Sequence, residues 1–343
     1  MRPHDGLILQ PEMRRTHDIW RTLLLLVGAI VVSLALAEVL VRIFAPHARD
    51  MAVPSGLFVI DGDLGWRLNP GTRVRHRSRY FDATYSINSF GSRDQDRDTT
   101  RADARRILVF GDSQIFGWGV AAEQRATAIA ERSLDRTEVW NMAVPGYGLD
   151  QEALAYLQRS DVLPAATDVV FYVGSSTVRR MAHSNEFRKP KPRFVLDSSG
   201  RLVMIPVQER ASLMTGMAYR LISQFYLPYL VNNQLARLQA RQSAPRTSSV
   251  ERPEIEPELM SLALAVLDSV HSVATARRQG MRILSFLPEE PQKQLEAFSE
   301  SRGIPLTEVP MAAGQIVFGE RDYHWRPEAH RLVAAALLPV LSR

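Results

Sequence analysis

The passage from Arg106 to Val120 constrains the fold more than any other part of the chain. Ile107-Leu108-Val109-Phe110 is an unbroken apolar run, the pattern of a strand buried on both faces, and it ends in Gly111-Asp112-Ser113. Gly117 and Gly119 follow, so the strand passes into a glycine-spaced turn with room for a substrate. In open α/β sheets ligands bind beyond the carboxyl ends of parallel strands, which is where this run places Ser113. Further strands are predicted at Glu138–Asn141, Asp168–Val173, Met281–Phe286 and Pro305–Val309. Helical patterns at Ala126–Leu134, Leu149–Ser160, Pro257–Arg278 and Pro291–Ser301 alternate with them. In the third of these, Met260, Leu264, Leu267 and Val270 recur at three- and four-residue steps and form a core-facing stripe. Alternation of this kind predicts an α/β domain whose parallel sheet is covered on both faces.

Two distant segments give the serine chemical company. Val139 to Gly148 reads as a second strand ending in a glycine turn, and Asp322-Tyr323-His324-Trp325 precedes a helix opened by Pro327. A serine, a histidine and a nearby acid are the parts that nucleophilic acyl transfer requires. His324 is expected to take the proton of Ser113, and Asp322 to orient the imidazole. Asp112 is expected to fix the turn. His330, six residues on, is read as structural, and His183 and His271 lie far off with no His-x-x-x-His spacing. No metal signature and no cofactor are therefore expected.

These blocks resemble the SGNH/GDSL hydrolases, in particular the membrane-anchored bacterial kind, from about Asp61 onward. The first block is Gly111-Asp112-Ser113 with Phe116 to Val120; the second runs from Asn141 to Gly148; the last is Asp322 and His324 with Trp325 and Pro327. Leu64-Gly65-Trp66 and Ile87 to Arg93 resemble the lead-in of the membrane-linked members. The resemblance implies a flavodoxin-like three-layer sandwich and a carboxylic ester hydrolase. It also implies an oxyanion hole from the Ser113 and Gly146 N–H groups and the side chain of the third block. That block departs from the family pattern: Ser176 stands where Asn is expected, or Ser175 on a one-residue shift. Arg321 occupies the position three before His324 where many members carry Asp, and Ile115 a position where many carry Thr.

The N-terminal segment sets the location. Residues 22–44 are almost wholly apolar, and as a helix at ~1.5 Å per residue they cover roughly 34 Å, enough for a bilayer core. Glu38 and Arg42 lie four apart and can pair on one face. Arg14, Arg15 and Arg21 precede the segment, so residues 1–21 are expected to be a cytoplasmic tail of a single-pass inner-membrane protein. Ala35-Leu36-Ala37 has the form that signal peptidase cuts, but the long leader and the apolar continuation to Phe44 favour an uncleaved signal-anchor. A lead-in at 45–105 and an extracytoplasmic domain at 106–343 follow, with an insertion at about 182–251. The apolar, aromatic part of that insertion, Leu213 to Leu238, reads as an extra packed helix, with a lid or a membrane-resting surface as alternatives.

Composition narrows the partners. The formal net charge is +5, but the basic residues are nearly all arginine and dispersed, which argues against a nucleic-acid-binding stripe. The local clusters Arg73 to Arg77 and Arg188 to Arg193 read as solvated surface. With no cysteine, the chain has no thiolate nucleophile and no disulfide. The sequence thus predicts a membrane-anchored extracytoplasmic serine esterase acting on an O-acyl ester of an envelope glycan or lipid. An O-acyltransferase using the same serine, or a degenerate binding protein of the same fold, are the alternatives.

Overall fold

The computed structural model describes residues 12–50, 52–98, 104–159, 168–186, 189–207, 224–231, 234–235, 255–319 and 322–341. The chain divides into two compact units, residues 1–50 with 218–247 and residues 51–217 with 248–343.

In the first unit, helix α1 runs from Glu12 to Phe44 and continues into a short 3-10 turn, Pro46–Arg49. Within Ile19–Phe44 its most apolar 18-residue stretch has a mean hydropathy of 2.7, and the segment is long and apolar enough to cross a membrane. Side chains such as Leu24 and Leu25 are more than two-thirds exposed. An apolar face left this bare in water is what a lipid-embedded helix would show.

The second unit is built on five parallel strands. In chain order it begins with two antiparallel hairpins, β1 (Phe58–Asp61) with β2 (Gly65–Leu68) and β3 (Arg73–Arg77) with β4 (Asp82–Ser86). The sheet strands β5 (Arg105–Phe110), β6 (Thr137–Asn141) and β7 (Asp168–Gly174) follow. Small hairpins β8 (Asn185–Glu186) with β9 (Lys189–Pro190) and β10 (Arg193–Leu196) with β11 (Leu202–Ile205) come next. The sheet resumes with β12 (Gly280–Phe286) and β13 (Leu306–Glu308), and β14 (Val317–Gly319) pairs with β15 (Asp322–Trp325) at the end. Between them lie α2 (Ser113–Phe116), α3 (Ala126–Arg132), α4 (Leu149–Arg159), α5 (Ser175–Arg180), α6 (Pro257–Ala276), α7 (Glu289–Arg302) and α8 (Pro327–Leu341).

The sheet order is β13-β12-β7-β5-β6, all neighbours parallel. Numbered by appearance in the sheet this is 2-1-3-4-5, the flavodoxin-like order that the resemblance implies. The order reverses between β5 and β7, and that reversal opens the crevice in which such sheets bind ligands. Ser113 follows directly from β5 at this point. Every residue of β7 is buried, as a strand covered by helices on both faces requires.

The predicted strands and helices stand within one or two residues of their expected bounds, with Pro305–Val309 reduced to three paired residues. On α6, Met260, Leu267 and Val270 enter the core as expected and Leu264 is only half-buried; Ala263, Val266 and Ala274 complete the stripe. The first hairpins are not an appendage of the sheet domain. Trp66 is fully buried, donates its indole N–H to Pro145 O at 3.2 Å, and accepts at its own carbonyl from the Tyr147 hydroxyl at 2.5 Å. Arg93, also buried, donates to the carbonyls of Phe116, Gly117 and Val120 and so pins the turn after the serine.

Within the Arg188 to Arg193 cluster, Lys191 is not solvated surface. Lys191 is fully buried and donates to Asp150 at 2.6 Å, and also to the carbonyls of Arg180 and His183. A lysine reaches the interior only with its charge paired and its donors satisfied, and Asp150 on α4 supplies the pairing. Of the insertion, the described residues 183–186 and 189–207 carry hairpins β8–β11. Most of Leu213 to Leu238 lies outside the described residues.

Candidate active site

The site assembles from the carboxyl end of β5, the start of α2 and the β14–β15 hairpin. Asp112 caps α2, its Oδ1 accepting the Gln114 N–H at 2.9 Å. Its Oδ2 accepts from Arg180 Nη1 and from the Ser176 hydroxyl, each at 2.8 Å. The buried Asp112 is therefore charge-paired, and it fixes the turn on which Ser113 sits.

Strand β15 brings the base. His324 Nε2 lies 2.8 Å from Ser113 Oγ, and His324 Nδ1 lies 2.7 Å from Asp322 Oδ1. A carboxylate only accepts, so the imidazole proton resides on Nδ1 and the Ser113 hydroxyl donates to Nε2. Asp322 is wholly buried, and its Oδ1 also accepts the His324 backbone N–H at 3.2 Å. The three residues singled out in the sequence thus meet in one chain of hydrogen bonds.

Gln114 aligns the two halves of this chain. Its Nε2 donates to Tyr323 O at 2.9 Å and its Oε1 accepts the Trp325 N–H at 3.0 Å, so one side chain grips the backbone on both sides of His324. Trp118 stacks on the His324 ring with centroids 5.3 Å apart and planes 28° from parallel. Behind Trp118, His76 meets the indole edge-on at 4.5 Å. The Tyr85 hydroxyl accepts the Gly119 N–H at 2.9 Å and is hydrogen-bonded with His76 Nδ1, also at 2.9 Å. Burial, reinforced by the neighbouring His324, lowers the His76 pKa to about 4, so this ring is neutral beside the site. Sequence reasoning missed Gln114, Trp118, Arg180 and His76 as parts of the site. For His76 the alternation of β3 was the available signal, since it is the only buried residue of that strand.

Two expectations change. The glycine turn does not leave open space for a substrate: a side-chain carbon at Gly119, whose φ is +81°, would lie 2.6 Å from Phe318 and 2.7 Å from Phe81. An aromatic wall fills that room. Ser176, expected to face the oxyanion, gives its single hydroxyl proton to Asp112 instead. Ser175 Oγ is buried and has no partner among the described residues. Arg321 lies outside the described residues.

The second block lies against the first. The Val144 N–H donates to Gly111 O at 3.0 Å, and Gly146 turns with φ +85°. Neither the Ser113 N–H nor the Gly146 N–H donates to an acceptor among the described residues. His330 is buried at the start of α8, accepts the Ala126 N–H at 3.3 Å and stacks edge-on against Trp325. Burial takes its pKa down to about 3. Among the described residues no group of three or more His, Asp or Glu could hold a metal ion. A serine hydroxyl held against an imidazole, itself held by a buried carboxylate, is an arrangement for deprotonating an attacking alcohol.

No family model matches the chain, and no curated protein matches it. Among solved structures the chain is similar to a member of the lipolytic protein G-D-S-L family from Veillonella parvula. Identity there is 12% with a TM-score of 0.39, covering 70% of this chain and 100% of that one. It is also similar to the protein TesA, at 12% identity and a TM-score of 0.41, with 69% and 98% covered. A third is the psychrotrophic esterase EstA from Pseudoalteromonas, at 10% identity and a TM-score of 0.39, with 69% and 96% covered.

Proposed function

We propose that this chain is a membrane-anchored serine esterase of the SGNH/GDSL type, hydrolysing an O-acyl ester of a cell-envelope glycan or lipid. The observation that carries the proposal is the unbroken relay from Ser113 Oγ through His324 to Asp322, at 2.8 and 2.7 Å. In the first step Ser113 Oγ bonds to the ester carbonyl carbon as its proton passes to His324 Nε2. The imidazolium formed is held by Asp322 and then gives that proton to the departing alkoxide, which leaves as the alcohol. Water attacks the acyl-serine with the same histidine as base, and Ser113 recovers its proton as the carboxylic acid departs. The developing oxyanion takes its hydrogen bonds from the Ser113 and Gly146 N–H groups, which are unengaged among the described residues. Ser176 serves the site through Asp112.

α1 holds this domain at the membrane, with Arg14, Arg15 and Arg21 of its first turns on the cytoplasmic side. The test uses the full chain in detergent. A fluorophosphonate probe is expected to label Ser113, and Ser113→Ala to lose both labelling and hydrolysis of a short p-nitrophenyl ester. Absence of labelling in the parent chain from neutral to alkaline pH would overturn the proposal in favour of a binding protein of this fold.

A further inference from the structure

We infer that residues 224–231 and 234–235 are a second membrane contact, lying in the lipid–water boundary of a phospholipid bilayer at the depth of Glu38. The inference rests on α1 spanning the membrane. Within the first unit, both Glu38 oxygens are committed to this segment. Oε1 accepts the Tyr226 N–H at 2.9 Å, and Oε2 accepts Tyr226 and Leu227 N–H groups at 3.0 and 2.9 Å. Arg42 Nε donates to Glu38 Oε1 at 2.8 Å. Arg42 and Arg49 reach the Gln224 carbonyl at 3.4 and 3.3 Å, and their guanidinium groups lie 5.3 and 5.2 Å from the Tyr226 ring centre. The Tyr229 ring lies 5.5 Å from Arg49.

These contacts fix the depth of the segment. Counting from Thr22 at ~1.5 Å per residue, a core of ~30 Å ends near Arg42, which puts Glu38 roughly 6 Å inside the boundary. Elements lying in the boundary sink ~5–10 Å into it. At that depth the chemistry is reciprocal. Residues 227–231 are helical, so the first amides there have no partner within the helix and little water to replace one. A carboxylate inside the boundary needs donors for the same reason. Each supplies what the other lacks, whereas in water neither would need it. The remaining character agrees with lipid as the occupant. Phe225, Val231 and Leu235 are exposed, as are Ile43 and Phe44 at the end of α1. Two tyrosines and two arginines gather beside them, the residues that settle where headgroups meet acyl chains.

The absence of cysteine allows a direct measurement. Single cysteines in the full chain, at Ile30→Cys, Phe44→Cys, Ile60→Cys, Phe225→Cys and Leu235→Cys, are labelled with an environment-sensitive fluorophore. The labelled chains are then placed in phosphatidylcholine–phosphatidylglycerol vesicles. Nitroxide-bearing lipids with the spin label near the headgroup are expected to quench the labels at 44, 225 and 235 alike and to spare the label at 60. Labels at 225 and 235 that behave like the one at 60, while the label at 30 is quenched by a deep nitroxide, overturn the inference and leave the anchor standing. No quenching at 30 overturns the anchor itself, and the inference with it. Adding Glu38→Ala is expected to reduce quenching at 225 and leave it at 30 unchanged; equal quenching at 225 with and without Glu38 overturns the pairing.

Discussion

The catalytic reading depends on positioning to a degree that the serine, histidine and aspartate do not reveal by themselves. Gln114 follows the proposed nucleophile directly and holds the backbone on both sides of the proposed base, which belongs to a hairpin more than two hundred residues away in the chain. Displacements of about 1 Å in a reacting pair cost on the order of 100-fold in rate. Gln114→Ala is therefore expected to lower kcat by ~10- to 100-fold with little change in KM or in Tm, measured by ester hydrolysis and thermal melting. A drop in Tm with unchanged kcat would assign Gln114 to stability alone. The partnership of Ser113, Asp322 and His324 was legible because acyl transfer demands those residue types and their motifs are distinctive. Gln114 was not, because a glutamine at the start of a helix is ordinary and only its partners make it informative. Ser176 was misread for a related reason: its position in the third block was visible, but the direction of its one proton is set by Asp112 and Arg180.

Among the elements, the least expected is the link between the β9–β10 region and α4. Lys191 and Asp150 pair at 2.6 Å with 0% and 1% of their side chains exposed. Removing one partner of a buried pair leaves a naked charge and typically costs about 3–5 kcal/mol, whereas replacing both by apolar groups is often neutral. Lys191→Met alone is expected to lose ~3 kcal/mol of unfolding free energy in urea, and Asp150→Leu with Lys191→Met to regain most of it. If the double variant is as unstable as the sum of the singles, the pair is not the unit that matters. The sheet strands were legible because continuous apolar runs such as Ile107–Phe110 have few other uses. Hairpin β3–β4 was legible only in part: Arg73-Val74-Arg75-His76-Arg77 advertises solvent, and Arg75 and Arg77 do pair with the exposed Asp82. The burial of His76 comes from Trp118, Phe81 and Tyr85, which tertiary packing alone brings together.

For the molecule as a whole, stability below neutral pH reports on its buried histidines. His330 is held neutral by burial, with a pKa near 3 against 6.5 for an ordinary histidine. Below pH 6.5 the unfolded chain takes up a proton at this residue that the folded chain refuses. Stability contributed by His330 is thus fully present above pH 6.5 and falls with pH until about 3, by ~1 kcal/mol per pH unit. Buried acids act in the opposite sense: burial and the nearby Asp112 raise the Glu152 pKa well above normal, so this group adds stability as the medium is acidified. The histidine contribution is isolated by difference. His330→Asn, which keeps an acceptor for the Ala126 N–H, is expected to flatten the fall in unfolding free energy between pH 6.5 and 4 by that amount relative to the parent. An unchanged slope would show that His330 protonates without resistance. The strand order places the proposed nucleophile early in the domain and its base 211 residues later. During synthesis a nascent chain that has not reached the β14–β15 hairpin carries a serine with nothing to deprotonate it. Such a polypeptide would be chemically silent until that hairpin docks against the start of α2.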